Sequence, residues 1–373
     1  MKQVKRLLWL LLIVFCVVAL AITMIKKKKE PINIGVDLPL TGAYAYWGNE
    51  FKYGADIFMK NNPDIDILFE DNRGETKNAV AVANKLVNVN KVDALVSLFA
   101  PFSFPLRDLA ESTKTPLISS FNSSTTFTEG YNYSFSDFAT HDIQLPLLVN
   151  YVTDTLHLNH GVFFCVNDDY GTDGAKIVTK LLKEKNISIT GEFFNTGDAD
   201  HRNVLAKLLN DNVDFVFLIA RDRDLINAVN QIRERNKDLL ILGVGSFDAP
   251  VVWEGISIEN QNNILFASSY FEKDFNDESK SFYEEFYKIH QKEPNYPAVF
   301  GYTICQYLTN AIAKAKQEGI PLKEVLETID YNSIRGKIKM TGNHVVYSSI
   351  AIYKRAKNKS IPLAIELENL NEE

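Results

Sequence analysis

The sequence predicts an α/β protein with two doubly wound, parallel-sheet (Rossmann-like) halves, and three observations lead to this fold class. The chain has 373 residues, 46% of them hydrophobic and 23% charged, which exceeds the size at which a single core usually stops growing. Short apolar runs alternate with amphipathic helical segments, as in parallel sheets that are covered on both faces. After a less regular stretch over residues 121–144, the alternation starts again at GVFFCV, which predicts a second sheet.

The first series of elements follows from local periodicity. Apolar residues alternate from Ile32 to Val36, as in a strand, whereas Phe51, Ala55 and Phe58 recur at helix spacing. Further strands are predicted at residues 65–70, 94–99 and 116–119. Further helices are predicted at residues 76–88 and 105–114, the second with a proline that is tolerated in a first helical turn.

The second series repeats this pattern. Strands are predicted at residues 161–166, 187–194, 214–220 and 239–245, and helices at residues 145–156, 174–185, 201–210 and 223–235. Beyond residue 271 the pattern predicts a helical block at residues 279–291, 298–317 and 322–328, followed by strands within residues 337–354.

Composition and motifs exclude several function classes. The net charge is −7, and the only dense basic run is at residues 26–29, so no nucleic-acid partner is expected. There is no P-loop, GxSxG, HExxH or zinc-type cysteine spacing, so the sequence predicts no enzyme, no metal and no cofactor. Cys165 and Cys305 lie in apolar runs and resemble buried small hydrophobic residues, although a bridge between them stays open.

The N-terminus carries an export signal. Residues 7–25 are uncharged and apolar, follow three basic residues, and contain a small-x-small site at residues 19–21. This run suits either a cleaved signal peptide or an uncleaved span. We therefore expect residues 1–31 to be a signal peptide or a membrane anchor that contacts the membrane. The rest of the chain is then periplasmic or otherwise extracytoplasmic, and residues 7–25 anchor it to the inner membrane if they are not cleaved.

The loops after the strands are the places to search for a site, because open parallel sheets bind ligands beyond the carboxyl ends of their strands. Such loops occur at residues 40–48, 99–104, 120–126, 167–174, 220–224 and 243–250. The first contains Tyr46 and Trp47, where a solvated turn would more often carry Ser, Asn or Asp. We expect these rings to contact a ligand; the alternative is that they cap the core.

Five segments, in one consistent order, carry a resemblance to a known family. They are TGAYAYWG, AVAVANKLV, SFNSSTT, NDDYGTDG and AVFGYTICQYL. In this order they resemble the type I periplasmic binding proteins, in the leucine-binding-protein-like branch that binds branched-chain amino acids, amides and urea for ABC importers. The resemblance implies two lobes, comprising residues 32–141 with 272–343 and residues 142–271 with 344–373. Three crossover strands near residues 138–144, 267–271 and 342–347 would join them.

The resemblance also implies which residues bind the ligand. The aromatic of the first lobe falls on Trp47, beside Tyr46, and the tyrosine of the second lobe falls on Tyr170. The remaining positions lie in the next two loops of the first lobe: Ala100, Pro101, Phe102, Asn122, Ser123 and Ser124. The first of these two loops departs from the family, because the serine that would grip a carboxylate is missing at Ala100 and Pro101.

Two charged residues complete the expected site. Arg221 follows the strand DFVFLIA, and Asp248 is the only acid in the loop over residues 243–250. An arginine fork is a natural partner of a carboxylate, so we expect Arg221 on the anion of the ligand and Asp248 on any ammonium group. The alternative is that Arg221 forms a surface ion pair with Asp222 or Asp224.

The resulting functional hypothesis is an extracytoplasmic solute-binding protein of an ABC importer. It would bind a small polar metabolite, such as an amino acid or a related amide or carboxylate, in the cleft between the lobes and close by hinge motion. Its partners would be this ligand and the membrane permease. The alternative is a membrane-tethered sensing ectodomain that signals to a separate partner.

Overall fold

A computed structural model describes residues 31–271, 273–356 and 358–366 of the chain. Its strands are β1 (Ile32–Leu38), β2 (Ile65–Asp71), β3 (Ala94–Leu98), β4 (Leu117–Ser120), β5 (Ser134–Asp137), β6 (Gly161–Val166), β7 (Thr190–Phe194), β8 (Phe215–Ile219), β9 (Leu240–Gly243), β10 (Ile264–Ser269), β11 (Asp330–Ser333), β12 (Gly336–Met340), β13 (Val346–Tyr347), β14 (Ile350–Ala356) and β15 (Lys359–Glu366).

The helices lie between these strands. They are α1 (Ala45–Asn61), α2 (Thr76–Asn84), α3 (Ala100–Ser103), α4 (Arg107–Thr113), α5 (His141–Asn150), α6 (Asp169–Glu184), α7 (Arg202–Leu208), α8 (Asp222–Arg235), α9 (Pro250–Gly255), α10 (Asp277–His290), α11 (Tyr296–Glu318) and α12 (Leu322–Leu326). Two short helices, α3 and α9, were not predicted. Helices α2 and α5 continue as π-helical turns at Lys85–Val89 and Tyr151–Thr155, and 3₁₀ turns occur at Phe104–Leu106, Gly245–Asp248 and Ile258–Asn260.

The strands form two large sheets and one small one. The first sheet is parallel throughout, in the order β2-β1-β3-β4-β5. The second has the order β15-β14-β10-β9-β8-β6-β7, parallel from β7 to β10 and antiparallel at β14 and β15. Strands β11, β12 and β13 make the third. The predicted α/β class with two parallel sheets is therefore confirmed.

Strand β5 was not predicted, because its residues, SFSD, do not form an apolar run. All four residues of β5 are nevertheless buried. Strand β4 covers one edge of β5, and on the other edge the backbone N–H of Ser136 donates to the carbonyl oxygen of His344 (2.9 Å). Burial here comes from the neighbouring strands, which a local hydrophobic pattern does not report.

The prediction of a signal peptide or membrane anchor rests on residues 1–30, which lie outside the described residues. Within the part of the chain that the structure describes, no helix is both long enough and apolar enough to cross a membrane. Cys165 and Cys305 are both buried free thiols, as their apolar surroundings predict.

Helices α1 and α11 pack closely because each presents a glycine to the other. A Cβ added at Gly54 would overlap the carbonyl oxygen of Ala298, and a Cβ added at Gly301 would overlap that of Phe51. Helix α11 comes from the C-terminal part of the chain, so this contact joins distant segments and fixes α1, which carries Trp47, against the first sheet.

We expect Gly301→Ala to lower the free energy of unfolding by about 1–3 kcal/mol, because the added methyl group must push the two helices apart. Urea denaturation measures this change. Gly342→Ala is the matched control, since a Cβ there meets nothing within 4 Å. Equal losses for the two variants would contradict the close helix contact.

Asp37, near the end of β1, is a fully buried carboxylate. It accepts hydrogen bonds from Asn72 Nδ2 (2.8 Å) and Ser97 Oγ (2.7 Å). Burial raises the pKa of Asp37 to about 7, and the two hydrogen bonds oppose this effect only in part. Folding therefore favours the protonated carboxyl.

This burial predicts a pH dependence of stability. Between the ordinary pKa of 3.8 and about 7, the folded protein holds a proton on Asp37 that the unfolded chain has released. The free energy of unfolding should therefore fall as pH rises through that range, by an amount on the order of a few kcal/mol.

Asp37→Asn should remove this contribution, which denaturation at a series of pH values would measure. Asp66→Asn, at an exposed position of β2, controls for the loss of one negative charge. The explanation fails if the Asp37→Asn variant retains the wild-type slope.

Candidate functional site

One small cavity lies where the carboxyl ends of strands from both large sheets meet, and we call it the cleft cavity. Its lining residues are Trp47, Phe99, Phe121, Ser123, Phe138, Tyr170, Arg221, Asp222, Ser246 and Tyr296. Its volume is about 20 Å³, which is room for roughly one water molecule. A metabolite can enter only if the side chains or the two sides of the cavity move apart.

Three phenylalanines form a row along the first-sheet wall of the cavity. Phe99, Phe121 and Phe138 each directly follow a strand, and β3, β4 and β5 are neighbours in register. The ring of Phe121 therefore lies 5.7 Å from the ring of Phe99 and 5.7 Å from that of Phe138. Trp47 packs on the same row, with its ring 5.7 Å from Phe121 and 5.5 Å from Tyr296. The wall is thus a continuous aromatic surface.

Three lining residues have backbone conformations that L-residues rarely adopt. Phe99 has φ 64°, Phe121 has φ 54° and Asp222 has φ 44°. Bulky residues in this region cost about 1–3 kcal/mol each, and such strain clusters at functional sites. Their concentration around one cavity supports its assignment as a site rather than a packing gap.

Arg221 is held in a fixed position on the second-sheet wall. Its guanidinium lies 3.8 Å above the ring centre of Tyr170, and Nη1 donates to Asp168 Oδ2 (2.7 Å). Asp168 is itself fixed as the N-cap of α6, where it accepts from the backbone N–H of Gly171 (3.0 Å). The alternative interpretation, an ion pair of Arg221 with Asp222 or Asp224, named other partners: the carboxylate that pairs with Arg221 is that of Asp168.

Tyr170 combines burial with one polar contact. Its hydroxyl is 2.9 Å from Ser246 Oγ. Burial raises the pKa of Tyr170 to about 12, so the phenol stays neutral and can serve as a hydrogen-bond donor.

A hydrogen bond crosses the cavity from one sheet side to the other. Trp47 Nε1, on α1, donates to Asp222 Oδ1, at the start of α8, over 3.1 Å. Burial raises the pKa of Asp222, and the bond from Trp47 and the charge of Arg221 oppose that effect. The indole therefore compensates part of the desolvation of this carboxylate.

A second polar contact joins the two sides next to the cavity. Asp173 of α6 accepts from Thr125 Oγ1 (3.2 Å), in the loop after β4, and lies 3.3 Å from His141 Nδ1 at the start of α5. These hydrogen bonds hold the pKa of Asp173 below its usual range despite its burial. Among the described residues, no group of three or more His, Cys, Asp or Glu is arranged to hold a metal ion.

The sequence of residues 31–359 matches the family described as periplasmic binding protein. The chain belongs to this family of binding proteins. Among curated relatives, the leucine-specific-binding protein of Salmonella typhimurium is 28% identical over 213 residues. That match covers 54% of this chain and 57% of the relative, so the chain spans little more than half the length of that protein.

Solved structures of periplasmic binding proteins share the fold. A leucine-binding protein from Thermotoga maritima has a TM-score of 0.81 at 20% identity, covering 90% of this chain and 98% of that protein. A branched-chain amino acid transporter substrate-binding protein from Streptococcus pneumoniae, in complex with isoleucine, has a TM-score of 0.79 at 24% identity. That match covers 90% of this chain and 99% of that protein. A solute-binding protein from Rhodopseudomonas palustris, in complex with 3,4-dihydroxybenzoic acid, has a TM-score of 0.78 at 18% identity. That match covers 90% of this chain and 96% of that protein.

The structure brings four of the predicted site residues of this periplasmic binding protein to the cleft cavity: Trp47, Ser123, Tyr170 and Arg221. Asn122 and Ser124 lie beside it and shape its wall, because the side-chain oxygen of Asn122 accepts from the backbone N–H of Ser124 (3.1 Å) in a turn that presents Ser123.

Five other predicted residues do not line the cavity. Tyr46 accepts a hydrogen bond from Asn295 Nδ2 (2.8 Å). Helix α3 contains Ala100, Pro101 and Phe102, and the ring of Phe102 packs against that of Tyr44. Asp248 accepts from Ser268 Oγ (2.9 Å) and lines a different cavity.

Sequence reasoning missed six lining residues: Phe99, Phe121, Phe138, Asp222, Ser246 and Tyr296. Phe99 and Phe138 directly follow strands, so strand-end position was the signal that could have identified them. Asp222 was considered only as an ion-pair partner of Arg221. Tyr296 begins α11, far along the chain, and no local pattern connects it with the other residues.

The bond across the cavity can be measured with a double-mutant cycle of Trp47→Phe and Asp222→Asn. We expect a coupling energy of about 1.5–3 kcal/mol in urea denaturation, because the bond involves a carboxylate. Trp47→Phe combined with Asp224→Asn is the control and should be additive. Additivity in both cycles would mean that the indole–carboxylate contact contributes nothing to stability.

Proposed function

We propose that this chain is the solute-binding component of an ABC importer and that it binds a small amino acid or related carboxylate in the cleft cavity. One observation carries the proposal. Apart from Tyr296, the side chains of a single cavity come from segments that follow strands in two separate sheets, and its charged members, Arg221 and Asp222, have opposite signs. Such an arrangement suits a ligand that is enclosed when the two sides approach each other.

The cavity chemistry favours a zwitterion with an apolar body. Arg221 donates one bond to Asp168 and keeps further N–H groups for a carboxylate. Asp222 would accept from an ammonium group, in the role that sequence reasoning gave to Asp248. Six aromatic rings, including Trp47 and Tyr296, supply apolar contact surface.

Relatives are consistent with this ligand class. The name of the Salmonella typhimurium relative indicates leucine, and the Streptococcus pneumoniae structure contains isoleucine. The Rhodopseudomonas palustris structure contains an aromatic acid instead, so the same fold also accepts a carboxylate without an ammonium group. The carboxylate is therefore the feature that we expect every ligand of this chain to share.

Binding would require motion of two lobes. We propose that residues 32–141 and 272–343 form one lobe, residues 142–271 and 344–373 the other, and that they separate to admit the ligand. The contacts from Trp47 to Asp222 and from Thr125 to Asp173 would break on opening and form again on closure. A ligand that touches both sides binds the closed form more tightly, and this differential affinity would drive closure.

A thermal-shift screen tests the proposal, because a ligand that binds only the folded protein raises its melting temperature. The panel contains L-leucine, L-isoleucine, L-phenylalanine, benzoate and 3,4-dihydroxybenzoate, with urea and small amides as comparison compounds that lack a carboxylate. At least one carboxylate should raise the melting temperature at millimolar concentration. No shift with any of these compounds would count against the proposed ligand class.

Arg221→Gln should weaken the affinity for that carboxylate by about tenfold or more, because a charged hydrogen bond to the anion is lost. Isothermal titration calorimetry measures the change. Arg223→Gln is the matched control, since Arg223 has the same charge, lies two residues away, is exposed and does not line the cavity. Equal affinities of the two variants would show that Arg221 does not hold the anion.

A further inference from the structure

A second and larger cavity lies on the second-sheet side, between α9 and the start of β15. Its volume is about 630 Å³, within the roughly 300–1,000 Å³ range of small-molecule sites. Trp253 and Glu254 of α9, Arg355 of β14 and Ser360 of β15 line it, together with Asp248. None of these residues lines the cleft cavity.

Arg355 is the most unusual group in this cavity. The residue is only 8% exposed, and its guanidinium lies 4.3 Å from the ring centre of Trp253. Its Nε donates to Gln261 Oε1 (2.9 Å). Among the described residues, neither Nη atom has a hydrogen-bond partner and no carboxylate forms an ion pair with this side chain. Burial lowers the pKa of Arg355. Neither Nη atom is among the fully buried side-chain nitrogens that lack a partner, so both stay open to the cavity.

Two other buried arginines of the same chain have acceptors from the protein within reach of at least one Nη atom. Arg233 donates to the backbone carbonyl groups of Leu239 (2.7 Å) and Asn260 (3.1 Å), and also to that of Asn262. Arg335 forms a buried ion pair with Asp137 through Nη2, while its Nε and Nη1 atoms are buried without a partner among the described residues. Only Arg355, of these three, borders a cavity large enough for a ligand, so a bound anion is the natural partner for its free N–H groups.

Gln261 fixes Arg355 in this position. While its Oε1 accepts from Arg355, its Nε2 donates to the carbonyl oxygens of Trp253 (2.9 Å) and Ile256 (2.8 Å). The amide therefore connects the arginine to α9, and the guanidinium carbon lies over the ring of Trp253. A preorganised guanidinium loses little freedom when it binds a planar anion.

We propose that this second cavity binds a small molecule with a single carboxylate, which the Nη atoms of Arg355 receive against the ring of Trp253. A dianion such as phosphate is disfavoured, because Asp248 and Glu254 line the same cavity. The same two acids suit a ligand that carries an ammonium or hydroxyl donor at its other end. This site is separate from the cleft and does not depend on the function proposed for the cleft.

The tryptophans allow the two sites to be observed separately. The sequence contains three, Trp9, Trp47 and Trp253, of which Trp47 lines the cleft cavity and Trp253 lines the second. In the full-length protein with ¹⁵N-labelled tryptophan, each indole N–H gives one NMR signal, and Trp47→Phe and Trp253→Phe assign them. The probes are acetate, glycine and benzoate, titrated to millimolar concentration.

We expect at least one probe to shift the Trp253 signal saturably. Arg355→Gln should weaken that binding by about tenfold or more. Arg355→Lys keeps the charge but loses the bidentate hydrogen-bond geometry, so it should also weaken binding. If the Arg355→Gln variant does not fold, the Arg355→Lys variant provides the test. Lys354→Gln, which removes the same charge from the exposed neighbouring residue, should bind as the wild type does.

Three results would overturn the proposal. The first is a Trp253 signal that no probe shifts. The second is a Trp253 signal that a probe shifts with the same affinity in the wild type and in the folded Arg355 variants. That result would mean that the guanidinium does not hold the carboxylate. The third is a shift of the Trp47 signal alone, which would assign all binding of these probes to the cleft.

Discussion

The register of the parallel strands in the first sheet determines the shape of the cleft. Because β3, β4 and β5 are aligned, the residues that directly follow them lie side by side, and all three are phenylalanines. Two of them, Phe99 and Phe121, have positive φ, which is costly for bulky residues. The packing of Phe121 against the rings of Trp47, Phe138, Tyr296 and Phe300 opposes that cost. The aromatic wall therefore follows from the sheet rather than from any preference of its loops.

The fold was largely readable from the sequence, because buried parallel strands and amphipathic helices leave strong local patterns. Strands such as GVFFCV are uninterrupted apolar runs, and helix α6 has a regular apolar stripe. Strand β5 was not predicted, because neighbouring strands bury the residues SFSD, which do not form an apolar run themselves. Local periodicity reports which residues avoid water, but it does not report polar residues that a tertiary contact covers.

The site was readable only in part. Ser123 and Arg221 stand in loops that follow strands, and Trp47 and Tyr170 lie in the first turns of the helices that such loops lead into. A general rule about parallel sheets therefore indicated them. Phe99 and Phe138 belong to apolar or aromatic stretches and look like ordinary core residues until strand register places them in a row. Asp248 lies at the end of a 3₁₀ turn, and the direction of its side chain depends on that turn and on Ser268. Spacing along the chain cannot specify such directions.

The 3₁₀ turn Gly245–Asp248 has a thermodynamic consequence. Ser246 faces the cleft, where its hydroxyl meets Tyr170, while Asp248, two residues later, lines the second cavity. Any displacement of this single turn changes both cavities at once. Two molecules that each prefer one position of the turn would consequently alter each other's affinity by the same factor, since linkage between two binding equilibria is reciprocal.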